Sequence, residues 1–180
     1  FLGWAFGGYY SGYHEVVEVQ KLKARGGKVI IVDIRDTPAS KNLADIFVKI
    51  RPGTDGAMAL GMIHWIIKQG LQDQEFIDKY TYGFEDLKKL VEKWTPEYTE
   101  QITTIPKEQL IEAAELFATH KSHMECGYGQ QRYSNGHQTQ RALACLAAIC
   151  GRVGKEDGNY IGTAKETFTL KAKSWTTCTY

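Results

Sequence analysis

The chain has 180 residues, 43% of them hydrophobic and 24% charged, with 22 basic against 21 acidic side chains and a net charge of +1. That length suffices for one full-sized core, and the even balance excludes a domain pulled as a whole onto nucleic acid or an anionic membrane. No apolar run reaches the roughly 20 residues needed to cross a bilayer; the stretch 57–67 is too short and is interrupted by His64.

In chain order, "FLGW" reads as a strand, "AFGGYYSGYH" as a glycine-rich loop, and "HEVVEVQKLKARGG" as a helix. That helix carries Val16, Val17, Val19 and Leu22 on one side and stops at Gly26-Gly27. "KVIIVDI" (28–34) is the clearest strand, a continuous β-branched run of the kind found where both sheet faces are covered. Together these form a βαβ unit whose second strand ends on Asp33. "DTPASKNLAD" reads as a loop or short helical turn, and "IFVKI" (46–50) as a second short buried strand. A helix follows from about 54 to 69, closed by Gly70, with Thr54 or Asp55 placed to cap its free amides.

"DQEFIDKY", "FEDLKKLVEKW" and "PEYTEQI" read as short amphipathic helices. "IPKEQLIEAAELFATH" reads as a longer one, with Leu110, Ala113, Ala114 and Phe117 at helical spacing. "HMECGYG" reads as a strand, "QQRYSNGHQ" as a polar loop, and "TQRALACLAAICGRVG" as an apolar helix. Cys126, Cys145, Cys150 and Cys178 make no C-x-x-C pair, so they indicate buried thiols rather than a metal or disulfide framework. Strands alternate with helices, so the expected fold is α/β: an open, mostly parallel sheet flanked by helices, with Rossmann-like dinucleotide-binding topology. It is expected to span 1–154, with 155–180 a tail leading into the next domain of a longer parent protein. The start at Phe1, on a strand already under way, prompts that expectation.

In such sheets ligands bind beyond the carboxyl ends of the strands. Three stretches fall there: "GGYYSG", Asp33 with its loop, and "RPGTD". Asp33 stands where dinucleotide folds put an acceptor for ribose hydroxyls, although a loop acid that caps the next turn would look the same. Asp55 is explained by capping alone. If the loops share one crevice, its carboxylate also matches the paired N–H donors of guanine and repels the acceptor at N1 of adenine. A fourth stretch, "GYGQQRYSNGHQ", packs Gln130, Gln131, Arg132, Asn135, His137 and Gln138 into one loop, either as a solvated surface or for a polar, anionic ligand. The histidines show no metal-ligand spacing.

The run "VIIVDIRDTPASKNLADIFVKIRPGTDGAMALGMIHWIIKQG", continued by "WTPEYTEQITTIPKEQLIEAAELFA" and "GYGQQRYSNGHQTQRALACLAAICGRVG", resembles the molybdopterin oxidoreductase family, which includes dimethyl sulfoxide reductase, formate dehydrogenase and periplasmic nitrate reductase. The resemblance implies an internal domain that holds the guanosine end of a molybdopterin guanine dinucleotide. In the parent enzyme that cofactor takes a bis form around molybdenum or tungsten.

By that similarity, Asp33, Arg35 and Thr37 match the residues at the guanosine ribose and nearby groups. Asp55 matches the acid that grips guanine, with Arg51 and Gly53 beside it, and Gln131, Arg132, Gly136 and Gln138 match the loop that reaches toward the pterin. Three positions depart from the family pattern, one being the usual Pro-Gly-Gly close after the last helix, replaced here by "KEDGNYIG". The usual Trp-Gly-x-Asn-Pro is Trp4-Ala5-Phe6-Gly7-Gly8, without the Asn, and Asp-Pro-Arg is Asp33-Ile34-Arg35.

No catalytic residue and no metal ligand is assigned to this chain; an iron–sulfur cluster would belong to a preceding part of the parent. The implied partners are the remaining domains of the parent, with iron–sulfur and membrane-anchor subunits, and neither nucleic acid nor direct membrane insertion. The implied compartment is a prokaryotic periplasm or cytoplasm. Two rival readings stay open, an NAD or FAD domain of a dehydrogenase and a non-catalytic structural relative.

Overall fold

The computed structural model describes residues 2–4, 13–155 and 158, with residues 2–4, 13–15 and 128 described by backbone alone. "GGYYSG" and most of the tail lie outside the described residues. The elements run β1 (Leu2–Trp4), α1 (Tyr13–Ala24), β2 (Ile30–Asp33), α2 (Pro38–Asn42), β3 (Ile46–Lys49), α3 (Asp55–Lys68), α4 (Gln74–Tyr80), α5 (Phe84–Val91), α6 (Pro96–Thr103), α7 (Lys107–Thr119), β4 (Met124–Cys126), a 3-10 helix (Tyr128–Arg132) and α8 (Gly136–Ile149). The four strands form one sheet in the order β3-β2-β1-β4, every pair parallel. The fold is α/β, a small parallel sheet among many helices.

The β-branched run of β2 is buried on both faces because successive side chains point to opposite sides of a strand. Ile30 and Val32 join a large core with side chains from α3, α7 and α8. Val29 and Ile31 join a smaller one with Val16, Val19 and Leu22 of α1 and with Leu43. Val17, expected on the same side of α1, is half-buried and stands outside that cluster.

α3 is the hub. It packs against α5, α6, α7 and α8, and Met58, Ala59, Met62, Ile63 and Ile66 are fully buried. It ends as expected near Gly70, which has φ +68° and lets the Leu71 amide reach back to the Ile66 carbonyl at 2.9 Å. α8 begins at Gly136, earlier than the polar-loop reading of "NGHQ" places it. No described helix is long and apolar enough to cross a membrane.

Asp73 shows how the α4 end is fastened. Its carboxylate accepts from the Phe76 amide at 3.0 Å and pairs with Lys155 Nζ at 3.1 Å. The amide bond and the Lys155 bond hold its pKa below the ordinary 3.8. A lowered folded pKa adds stability that is complete above 3.8 and is lost as pH falls through the folded value. Asp73→Asn keeps a good cap acceptor but cannot titrate. The variant is therefore expected to lose less stability than the parent chain when urea midpoints are followed from neutral pH to below 3.8.

Candidate functional site

Because every strand runs the same way, the carboxyl ends of all four lie on one edge of the sheet, at Trp4, Asp33, Lys49 and Cys126. Each exit brings a different chemistry to that edge.

At the exit of β2, Asp33 is half-buried and its Oδ1 accepts from the Arg35 amide at 3.2 Å, so the side chain shapes its own turn. The Arg35 side chain is exposed. Thr37 is buried and caps α2: its hydroxyl accepts from the Ser40 amide at 3.1 Å while the Thr37 amide donates to Ser40 Oγ at 2.9 Å. This reciprocal capping box fixes the path of the loop. Lys49, aligned with Asp33 across the sheet, lies 3.3 Å from the Asp36 carboxylate with both side chains more than half exposed. A pair so open to water is weak and leaves the ammonium accessible.

At the exit of β3, "RPGTD" folds into a tight turn. The Arg51 amide donates to the Thr103 carbonyl at 3.0 Å, and the Arg51 carbonyl accepts from the Thr54 amide at 3.2 Å and the Thr54 hydroxyl at 2.7 Å. Thr54 therefore makes no side-chain cap on α3, contrary to expectation. Its hydroxyl is spent on the turn behind it, a local bond that competes with capping. Gly53 has φ +78°, a conformation that favours glycine. Asp55 opens α3 and is 8% exposed; there the positive end of the helix dipole offsets its charge.

Cys126 ends β4. Its side chain still reaches solvent, yet desolvation pushes the thiol up to about 12, with the charges of Asp55 and Glu125 adding to the rise. Among the described residues no three His, Cys, Asp or Glu side chains gather as a metal site.

Beyond β4, Gln131 and Arg132 are exposed on the 3-10 helix, and the ring of Tyr133 lies against Gly53. Asn135 Nδ2 approaches the Gly53 carbonyl at 3.5 Å. Gly136 is buried because its Cα abuts the Gln131 backbone: a Cβ there would sit 2.5 Å from the Gln131 carbonyl oxygen. Gly56 and Thr139 bring α3 and α8 equally close, an added Cβ falling 3.0 Å from Thr139 Oγ1.

The structure thus joins the third and fourth stretches, at Gly53 with Tyr133 and Asn135, and sets Asp33 in line with β3. Gln138 is not part of that junction. It borders, with Arg141, a groove of about 530 Å³ between α3, α5 and α8 whose walls include Leu60, Phe84, Leu87 and Cys145. Lys49 and Tyr133 were missed as candidates. The signal for Lys49 was present, since it closes a strand next to the one that ends on Asp33. Tyr133 carried no signal, because only the fold brings it to Gly53.

Gln130 tests whether this edge fits an acceptor-rich cofactor. It is 6% exposed, its Oε1 accepts from Gln140 Nε2 at 2.9 Å, and its Nε2 has no partner among the described residues. Whichever way the two amides are assigned, one shielded polar atom of Gln130 is left without a partner among the described residues, a donor in one assignment and an acceptor in the other. With the exposed cations Arg35, Lys49, Arg51 and Arg132 and the shielded Asp55, the donor set suits phosphate oxygens together with a base that offers N–H groups.

The family model for molybdopterin oxidoreductase matches residues 13–174. The chain belongs to the molybdopterin oxidoreductase family. It is 41% identical over 140 residues to the F420-dependent formate dehydrogenase subunit alpha of Methanocaldococcus jannaschii, a match covering 77% of this chain and 20% of that one. It is 35% identical over 162 residues to the dimethyl sulfoxide reductase DmsA of Escherichia coli, covering 78% and 19%. Among solved structures, acetylene hydratase from Pelobacter acetylenicus superimposes with a TM-score of 0.74 at 33% identity, over 83% of this chain and 21% of that one. The chain spans about a fifth of the length of these relatives. Asp33, Asp55 and the 3-10 helix all lie within the matched span of this molybdopterin oxidoreductase domain.

Proposed function

We propose that this domain grips the guanosine end of a molybdopterin guanine dinucleotide at the carboxyl edge of its sheet, with Asp55 reading the base. The observation that carries the reading is the shielded Asp55 carboxylate at the first turn of α3, just after the exit of β3. A carboxylate largely removed from water gains more from two charge-assisted hydrogen bonds than an exposed one does. Guanine offers that pair of donors at N1 and the 2-amino group, and adenine does not.

The strand order β3-β2-β1-β4 supports a Rossmann-like dinucleotide site, since it matches the first four positions of the 3-2-1-4-5-6 order of that fold. In this reading Asp33 and Arg35 border the ribose, while Arg51, Gly53 and the capped Thr37 loop shape the wall around it. Gln131, Arg132, Gly136 and Gln138 belong to the segment leading toward the pterin, with Lys49 as an additional cation near the phosphates. The cofactor, when bound, supplies oxygen-atom or electron transfer; the residues of this chain bind it, orient it and select its base.

The parent protein is then a molybdenum- or tungsten-dependent oxidoreductase, with further domains and, as "subunit alpha" in a relative's name suggests, further subunits. One similar structure is named a hydratase, which supports placing the choice of reaction outside this domain. The 180-residue chain alone is expected to bind without turnover.

Asp55→Asn tests the reading. Isothermal titration should show GDP binding to the parent chain more tightly than ADP by about tenfold or more, the worth of one charge-assisted bond. The variant should show no preference. Equal affinity for both nucleotides in the two proteins would overturn the guanine assignment.

A further inference from the structure

We infer that Tyr133 is a positioning residue for base selection, clamping the "RPGTD" turn so that Asp55 is presented in one fixed place; the inference rests on the guanine reading of Asp55. The turn is held from two sides. On one, the Arg51 amide is tied to the Thr103 carbonyl at the end of α6 at 3.0 Å. On the other, the Tyr133 ring covers Gly53. A Cβ added at Gly53 would meet Cδ1 at 3.1 Å and both Cε1 and Cγ at 3.5 Å, so one edge of the ring lies along the bare glycine.

Asn135 Nδ2 approaches the Gly53 carbonyl at 3.5 Å from the same segment. Gly53 holds φ +78°, and a glycine free to leave that conformation has many others to visit. The ring removes that freedom two residues ahead of Asp55. Tyr133 follows Gln131 and Arg132 directly, so the same contact sets the distance between the base-reading carboxylate and the segment that leads toward the pterin. Tyr133 is 40% exposed, far more than a core aromatic.

The test uses the 180-residue chain with Tyr133→Phe, Tyr133→Leu and Tyr133→Ala. The GDP-to-ADP affinity ratio is measured by titration, and hydrogen exchange is followed at the Thr54 amide, which donates to the Arg51 carbonyl at 3.2 Å. Phenylalanine keeps the ring and is expected to keep both the ratio and the protection. Alanine is expected to bring the ratio near one and to speed Thr54 exchange several-fold, and leucine to fall between them, which guards against an alanine variant that fails to fold. If alanine and leucine both retain the parent ratio and the parent exchange rate, the clamp is wrong and the Asp55 reading stands. If the parent chain shows no preference for GDP, the Asp55 reading falls instead, and with it the role in base selection.

Discussion

Leu146→Ala is expected to lower the free energy of unfolding by about 2–5 kcal/mol, the range for deleting a buried leucine side chain whose surroundings relax only in part. Leu146 is fully buried on α8, in the same core as Met58, Met62 and Ile63 of α3. Those two helices pack closely enough that a Cβ at Gly56 would fall a tight 3.0 Å from Thr139 Oγ1, so a void at Leu146 finds little slack to close it. A loss of that size is a large share of the ~5–15 kcal/mol that holds a typical domain together. Leu146→Met keeps the volume and is expected to lose less than about 1.5 kcal/mol. Urea unfolding followed by circular dichroism separates the two. The result matters for function because α3 and α8 each start at the candidate site, and their packing sets how far apart Asp55 and the 131–138 segment stand.

Gly136→Ala is expected to destabilise the chain by about 1–3 kcal/mol and to weaken nucleotide binding as well. The added methyl group would lie 2.5 Å from the Gln131 carbonyl oxygen and 2.6 Å from its carbonyl carbon and Cα. These are backbone atoms, so the clash cannot be relieved by a rotamer change. Either the 3-10 helix moves off the first turn of α8, taking Gln131 and Arg132 with it, or α8 shifts against α3. A loss of stability and of GDP affinity together, read by urea unfolding and titration, is the expected result. Unchanged values for both quantities would mean that the close approach is not maintained in solution. The close approach of Gly136 to the Gln131 backbone is what this substitution probes.

The sequence was most informative where one physical rule dominated. The β-branched run 28–34 had only one good use, a strand covered on both faces, and β2 is that strand. Pro-Gly before a long apolar run marked the start of α3 to within one residue. It was least informative where two local rules competed. Thr54 stands at a cap position, but its hydroxyl has a nearer acceptor in the Arg51 carbonyl at 2.7 Å, and the turn takes it. "NGHQ" is polar throughout and reads as loop, yet it begins α8, because a buried glycine at position 136 lets the helix start directly against the Gln131 backbone. The contact of Tyr133 with Gly53 joins residues 80 apart in the chain and depends on the whole packing of α3 against α8, which no local pattern encodes.

The same distinction applies to the site. Residue types and strand ends were legible: Asp33 and Asp55 close or follow strands, and cations flank both. How each side chain is buried and which partners it takes depended on the fold. Thr37 is an internal cap, Gln138 borders the groove beside α5, and Gln130 alone among the described side chains of that edge keeps a shielded polar atom without a partner.

The central claim, that Asp55 selects guanine by its paired donors, is tested most directly by titrating the chain with GDP, IDP and ADP under one set of conditions. Hypoxanthine keeps the N1–H of guanine and lacks the 2-amino group, so the account predicts affinities in the order GDP, then IDP, then ADP, each donor removed weakening binding. ADP binding as tightly as GDP would contradict it.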